Sequence, residues 1–331
     1  MPLVPMKQIL DEAQRGGYGV GAFNVNNMEQ IQAIMRAARE ADSPVIVQAS
    51  RGALRYTNLV YLRHLMEAAV EDNPDLKIVL HLDHGNDLEV VKQAIDLGFT
   101  SVMIDGSLEA DGKTPRSFEG NADITRRAVE LAHPYGVTVE GELGTLGGIE
   151  EHVQASRVIL TDPEEAVEFV KQTGVDALAV AIGTSHGAYK FKETPTLAID
   201  RVEKIHALVP DVRLVMHGSS SVPQELITAI NKYGGQMPNA MGVPVEAIQD
   251  GISKGIRKIN VDTDTRLAAT ATIRKIFTED PSVFDPREYL GPARDAIFEV
   301  VKARMLAFGS AGHNGDYAPI TLEDTRRSYA R

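Results

Sequence analysis

The sequence predicts an α/β fold, a (β/α)8 barrel of the TIM type with a helical extension at its C-terminal end. Three observations carry this. Eight short apolar runs recur along the 331 residues, stretches of helical period separate them, and every run ends near a polar or metal-binding side chain. Eight strand–helix units in one chain are the count that closes a barrel. An open doubly wound sheet is the alternative, but such sheets usually begin with G-x-G-x-x-G, which GVGAF (19–23) lacks.

In chain order the runs are VGAFNV (20–25), PVIVQAS (44–50), KIVLHLDH (77–84), SVMIDGS (101–107), VTVEGELG (137–144), ALAVAIGT (177–184), RLVMHGSS (213–220) and KINVDTD (258–264). Each is short, largely apolar and followed by Gly, Ser, Asn or Asp, as buried parallel strands are. Between them lie amphipathic stretches at 28–41, 60–71, 124–136, 163–174 and 197–209. TDPEEA (161–166) places a proline and acidic residues where a helix starts. A short helix over 5–15 is expected to close the barrel bottom. Helices over 265–279 and 286–308 follow the eighth strand. The chain therefore reads as one domain, a barrel to about residue 280 and an extension over about 281–331.

Composition limits the function. Hydrophobic residues are 43% and charged residues 24%, which suits a folded globular chain rather than a disordered one. No apolar stretch is long enough to span a bilayer. The N-terminus turns acidic and helical at once and does not read as a signal peptide. With no cysteine, thiolate metal sites, cysteine nucleophiles and disulfides are excluded, and the cytoplasm is the expected compartment. The net charge of −12 argues against a nucleic-acid partner or an anionic membrane surface, while leaving room for a local phosphate site.

In a barrel of this kind, chemistry sits at the C-terminal ends of the strands. Those ends supply Asn24, Ser50, Asp83 with His84, Asp105, Glu142, His186, His217, and Asn260 with Asp262. Loop polarity accounts for any one of them, but poorly for three histidines from three strands. Each of these histidines precedes a glycine (Gly85, Gly187, Gly218). With nine histidines and 28 glycines, fewer than one such pair is expected by chance. Three imidazoles without thiolates suit Zn²⁺ with an open fourth position. Asp105 and Glu142 either bind a second divalent ion or orient the ligands. His64, His133 and His206 fall in helical patterns, and His152 and His313 in loops. His81, three positions before His84, is expected to face away from it. Asp83 and His84 are neighbours and would point to opposite faces of a regular strand, so a twist or bulge is expected there.

Phosphate binding is the second theme. GTSHGAYK (183–190) and HGSSS (217–221) follow strands six and seven, with backbone N–H groups and hydroxyls suited to an anion, and Lys190 adds charge. NVDTDTR (260–266) opens a helix and offers Thr263 and Arg266.

HLDHG (81–85), MIDGS (103–107), VEGELG (139–144), AIGTSHGAYK (181–190), VMHGSSSVP (215–223) and KINVDTDTR (258–266) together resemble class II, metal-dependent fructose-1,6-bisphosphate aldolase. NVNNMEQI (24–31) and QASRGA (48–53) agree, and the likeness runs to about residue 310. The short loops resemble the IIB branch, which includes bacterial Calvin-cycle aldolases.

The resemblance implies that His84, His186 and His217 hold catalytic zinc and that Asp105 and Glu142 form a second metal position. It makes Asp83 the acid that protonates the aldehyde oxygen of glyceraldehyde 3-phosphate. It gives Gly187, Gly218, Ser219, Ser220, Asn260, Val261, Asp262 and Thr263 to dihydroxyacetone phosphate, and Ser50 to the aldehyde half. Arg266 would reach the distal phosphate, in the family often a neighbouring subunit's, which implies a homodimer or larger homo-oligomer. Lys190 would lie at the C1-phosphate site, where the family also binds a monovalent cation, Na⁺ or K⁺. The family's general base is a glutamate on the loop after strand five, here 145–161. Glu150 aligns best and Glu151 is adjacent.

The chemistry agrees with the residues. Breaking a carbon–carbon bond beside a ketone leaves a carbanion that a divalent ion can stabilise as a Lewis acid. No Schiff-base lysine is then required, and no lysine ends any of the eight runs. The expected reaction is reversible cleavage of fructose 1,6-bisphosphate. Tagatose 1,6-bisphosphate and sedoheptulose 1,7-bisphosphate are alternative substrates. A metal-dependent sugar-phosphate isomerase is the alternative of another class.

Overall fold

A computed structural model describes residues 3–109, 111–148, 158–189, 191 and 195–330. Among them eight parallel strands close into a barrel in sequential order: Val20–Asn24, Val45–Ser50, Ile78–Gly85, Ser101–Ile104, Thr138–Leu143, Ala177–Val180, Arg213–Met216 and Ile256–Val261. The first strand pairs with both the second and the eighth. Each apolar run of the sequence supplies one strand.

Strand alternation sorts the side chains into two cores. Ala22, Ile46, Val79, Met103, Ala179 and Val215 point inward and meet helix Met6–Gly16, whose Met6, Ile9, Leu10 and Ala13 are buried against them. This helix fills the N-terminal end of the barrel, as the sequence suggests. Outward residues such as Val47, Leu82, Val102, Leu178 and Leu214 pack under the surrounding helices.

The helices start where capping chemistry places them. Asn27 accepts from the backbone N–H of Gln30 at the start of Met28–Glu40. Asp162 caps Pro163–Thr173, with proline in the first turn as read from TDPEEA. Helix Thr263–Glu279 follows the eighth strand. The next, Pro286–Phe308, lies against Met28–Glu40 and buries Ile297, Phe298, Val301 and Met305. Full burial of such a side chain contributes about 1.5–3 kcal/mol, more than the exposed Arg36–Asp295 pair beside them. Beyond it the chain returns under the barrel. Gln8 Nε2 donates to Ala318 O at 2.7 Å, and Tyr329 stacks on His133 with ring centroids 3.6 Å apart.

Two local features set up the mouth. The third strand is distorted at its end: His84 has φ +50°, and the pairing with the fourth strand shifts register between Leu82 and Gly85. This is the expected bulge, and it lets Asp83 and His84 both turn to the interior. Gly85 is required there, because a Cβ would lie 2.5 Å from Met103 O. The sixth strand departs from the reading of the sequence. It stops at Val180, and His186 sits beyond it in a two-residue strand, Ser185–His186, paired with Gly147–Gly148. The apolar run 177–184 reports burial, not continued pairing.

Candidate active site

The three histidines meet at the C-terminal mouth. His84 Nε2 lies 3.0 Å from His217 Nδ1. The His186 ring stands edge-on to His84, with centroids 5.1 Å apart. Ligand atoms of His84, His186 and His217 all fall within 4.8 Å of one another, and those of His84, Asp105 and Glu142 form a second such group. An all-imidazole set of this size fits a zinc ion. The other nitrogens of two of these rings face carboxylates. His84 Nδ1 is 3.3 Å from Asp105 Oδ2, and His217 Nε2 is 2.7 Å from Glu140 Oε1. Carboxylates in that position orient metal-binding histidines.

Asp83 is held from three sides. Asn24 Nδ2 and Gln48 Nε2 donate to Oδ2 at 2.8 and 3.1 Å, and Asn260 Nδ2 donates to Oδ1 at 3.3 Å. The same Asn260 nitrogen is 3.3 Å from His217 Nδ1, so the carboxylate stands one amide away from the histidine cluster.

Around this centre lie the loops after strands six, seven and eight. Gly218 follows His217 with φ +60°, and a Cβ there would come 2.6 Å from Ser185 O. Ser219 Oγ donates to the carbonyls of Met216 and Asn260 at 2.9 and 2.8 Å. Ser220 Oγ accepts from the N–H groups of Asp262 and Thr263, both at 3.1 Å, just past Val261 at the end of the eighth strand. Ser219 therefore ties strand seven's loop to strand eight, and Ser220 ties it to the start of helix Thr263–Glu279. Ser50 is buried at the end of the second strand and caps helix Arg51–Thr57 by accepting from Ala53 N. Gly187 has φ +84°. Arg266 is half exposed and pairs with Asp262 one helical turn away, at 2.6 Å. Glu150, Glu151 and Lys190 lie outside the described residues.

Sequence reasoning missed the floor of the site. Glu140, Lys258 and His81 are fully buried inside the barrel, together with Gln48. Lys258 Nζ is 3.0 Å from Glu140 Oε2 and donates to Asn260 Oδ1 at 2.8 Å. His81 lies 3.6 Å from Glu140 and its Nδ1 is 2.8 Å from Ser101 Oγ. His81 thus shares the interior with His84, because the distortion at His84 turns that residue inward. The signal was strand alternation: Glu140 is two residues from Glu142, and Lys258 two from Asn260.

These surroundings set the charges. Burial alone would raise the Glu140 carboxyl, but Lys258, His217 and His81 hold it well below the usual range. Burial pushes the His217 imidazole down against the bond from Glu140. Burial, then Lys258, takes His81 down to about 3. For Asp105, burial is outweighed by His84 and Ser107, leaving it at about 2. A neutral His217 beside a charged carboxylate can present a lone pair to a cation.

Comparison with known proteins agrees with this geometry. The sequence profile of class-II fructose-bisphosphate aldolase matches residues 4–313. The chain is 58% identical to a fructose-bisphosphate aldolase of Giardia intestinalis over 99% of this chain and 100% of that one. It is 54% identical to one of a Nostoc species, covering 100% of this chain and 96% of the relative. Among solved structures, the YdjI aldolase of Escherichia coli K12 superposes with a TM-score of 0.76 at 30% identity, covering 94% of this chain and 99% of that one.

Proposed function

The chain belongs to the class-II fructose-bisphosphate aldolase family, and we propose that His84, His186 and His217 are the zinc site of its reversible cleavage of fructose 1,6-bisphosphate to dihydroxyacetone phosphate and glyceraldehyde 3-phosphate. The observation that carries this is the convergence of three imidazoles within 4.8 Å at the strand ends, one amide from Asp83. A bound divalent ion supplies Lewis-acid polarisation of the ketone beside the scissile bond.

The protein's residues do the rest. In cleavage Asp83 takes the proton of the C4 hydroxyl as the C3–C4 bond breaks, and in condensation it returns that proton to the new alkoxide. Asn24, Gln48 and Asn260 aim its carboxylate. Glu150, with Glu151 as the neighbouring candidate, hands a proton to C3 of dihydroxyacetone phosphate in cleavage and removes it in condensation. Gly187, Gly218, Ser219, Ser220, Asn260, Val261, Asp262 and Thr263 bind that half, with Lys190 at its phosphate. Ser50 and Arg266 serve the aldehyde half.

Asp105 and Glu142, with His84, are the residues suited to a second divalent ion. A monovalent cation beside the Lys190 phosphate site belongs to the same reading. So does a homodimer or larger assembly: Arg266 shares a rim groove with Tyr56 and Ile273, and Tyr56 is 76% exposed. We read the whole chain as one barrel domain with its C-terminal extension. Among the described residues no helix is long and apolar enough to cross a membrane, and a cytoplasmic place fits the absence of cysteine.

Values of kcat/KM measured side by side on the fructose, tagatose and sedoheptulose bisphosphates test the substrate. Fructose 1,6-bisphosphate is expected to be best. A higher value for another sugar would move the assignment to it, and no triose phosphate from any of the three would refute aldol cleavage.

A further inference from the structure

Strand alternation drives a lysine and a glutamate into the same dry interior. Glu140 and Lys258 are both 0% exposed, on the fifth and eighth strands. Two such charges survive burial only if each compensates the other. Lys258 Nζ meets Glu140 Oε2 at 3.0 Å and Asn260 Oδ1 at 2.8 Å. Each partner carries the constraint upward. Glu140 Oε1 is 2.7 Å from His217 Nε2, and the Asn260 amide, its oxygen fixed on Lys258, points Nδ2 at Asp83.

We propose that Lys258 and Glu140 are positioning residues that hold His217 as the Nε2–H tautomer, with Nδ1 turned to the histidine cluster, and that Lys258 aligns Asp83 through Asn260. The tautomer follows from the network. A charged carboxylate only accepts, so the ring nitrogen beside Glu140 carries the proton. The opposite nitrogen then keeps its lone pair, and it is the one 3.0 Å from His84 Nε2. One ammonium group below the site thus sets both the orientation of a cluster histidine and that of the proton-transfer carboxylate. The link to metal rests on the cluster being the zinc site, whereas the tautomer does not.

The direct test is the nitrogen-15 spectrum of His217 in metal-free wild-type protein at neutral pH. It is expected to show a protonated Nε2, and a protonated Nδ1 would overturn the proposal without needing any variant to fold. Zinc affinity, measured by chelator competition, should fall about 10- to 100-fold in Glu140→Gln. In Lys258→Met at saturating zinc, kcat should fall about tenfold or more with KM within about threefold, since a small misalignment of reacting groups costs rate more than binding. Folded variants with wild-type tautomer, zinc affinity and kcat would also overturn it. Protonated Nε2 in a protein that takes up no zinc would uphold the positioning of His217 and defeat the metal reading alone.

Discussion

Asn260 Nδ2 lies 3.3 Å from Asp83 Oδ1 and 3.3 Å from His217 Nδ1. A single amide therefore links the Asp83 carboxylate to a ring of the histidine cluster. Asp83 and Asn260 lie within strands three and eight, and His217 directly follows strand seven. On the proposed mechanism, carbonyl polarisation and proton transfer would thus be fixed relative to one another before substrate arrives.

Removing Asp83 separates the two half-reactions. Asp83→Ala should lower cleavage of fructose 1,6-bisphosphate by about 10²–10⁴-fold, the usual worth of a general acid–base. Proton exchange at C3 of dihydroxyacetone phosphate, followed by deuterium loss, should fall much less, because in the proposed mechanism it uses the loop glutamate. Equal loss of both would contradict the role given to Asp83.

The buried pair should behave asymmetrically. Lys258→Met leaves Glu140 charged and uncompensated, at a cost of about 3–5 kcal/mol. The double variant Lys258→Met, Glu140→Gln removes both charges and should recover much of that loss. Urea unfolding of the three proteins measures it, and a double variant less stable than the single one would be the contrary result.

Acid should act through His81. Its imidazole is held at about 3 by burial and by Lys258, against an ordinary value of 6.5. Between those values the unfolded chain binds a proton that the folded chain does not. The stability that neutral His81 contributes is therefore complete above about pH 6.5 and lost as pH falls, by about 1.4 kcal/mol per pH unit. From pH 7 to pH 5 the free energy of unfolding, read from urea titrations, should fall by about 2 kcal/mol less in His81→Gln than in wild type. The same drop in both proteins would argue against a buried neutral His81.

Gly218→Ala probes the phosphate loops. A left-handed backbone disfavours alanine by about 1–2 kcal/mol. Here the added methyl would also come 2.6 Å from Ser185 O, beside His186. Stability and zinc affinity should both fall, and KM for the bisphosphate should rise. A variant with unchanged KM and unchanged zinc affinity would show that this close approach does not shape the site.

The barrel is legible because each buried strand leaves an apolar run that ends in a polar residue. Asp83 beside His84 even announces the distortion seen at His84. The short helices are harder to read: Leu88–Asp96 and Val245–Ser253 each span nine residues, about two and a half turns. His186 joins the histidine cluster from beyond the sixth strand and not from its end, since an apolar run shows burial and says nothing of where ladder pairing stops. Glu140, Lys258 and His81 escape for a different reason. A charged residue inside a strand reads as a solvent-facing position unless its partner across the barrel is known, and Glu140 and Lys258 are 118 residues apart in the sequence.

In the proposed mechanism, aldol cleavage depends on a metal held by the His84–His186–His217 cluster. The measurement is triose-phosphate formation from fructose 1,6-bisphosphate in protein stripped by a chelator, then titrated with zinc, with metal content read in parallel. Activity should vanish on stripping and return in step with one zinc per chain, and borohydride with substrate should trap nothing. Full activity in metal-free protein, or zinc uptake and activity undiminished in His217→Ala, would show that these histidines do not hold a catalytic metal.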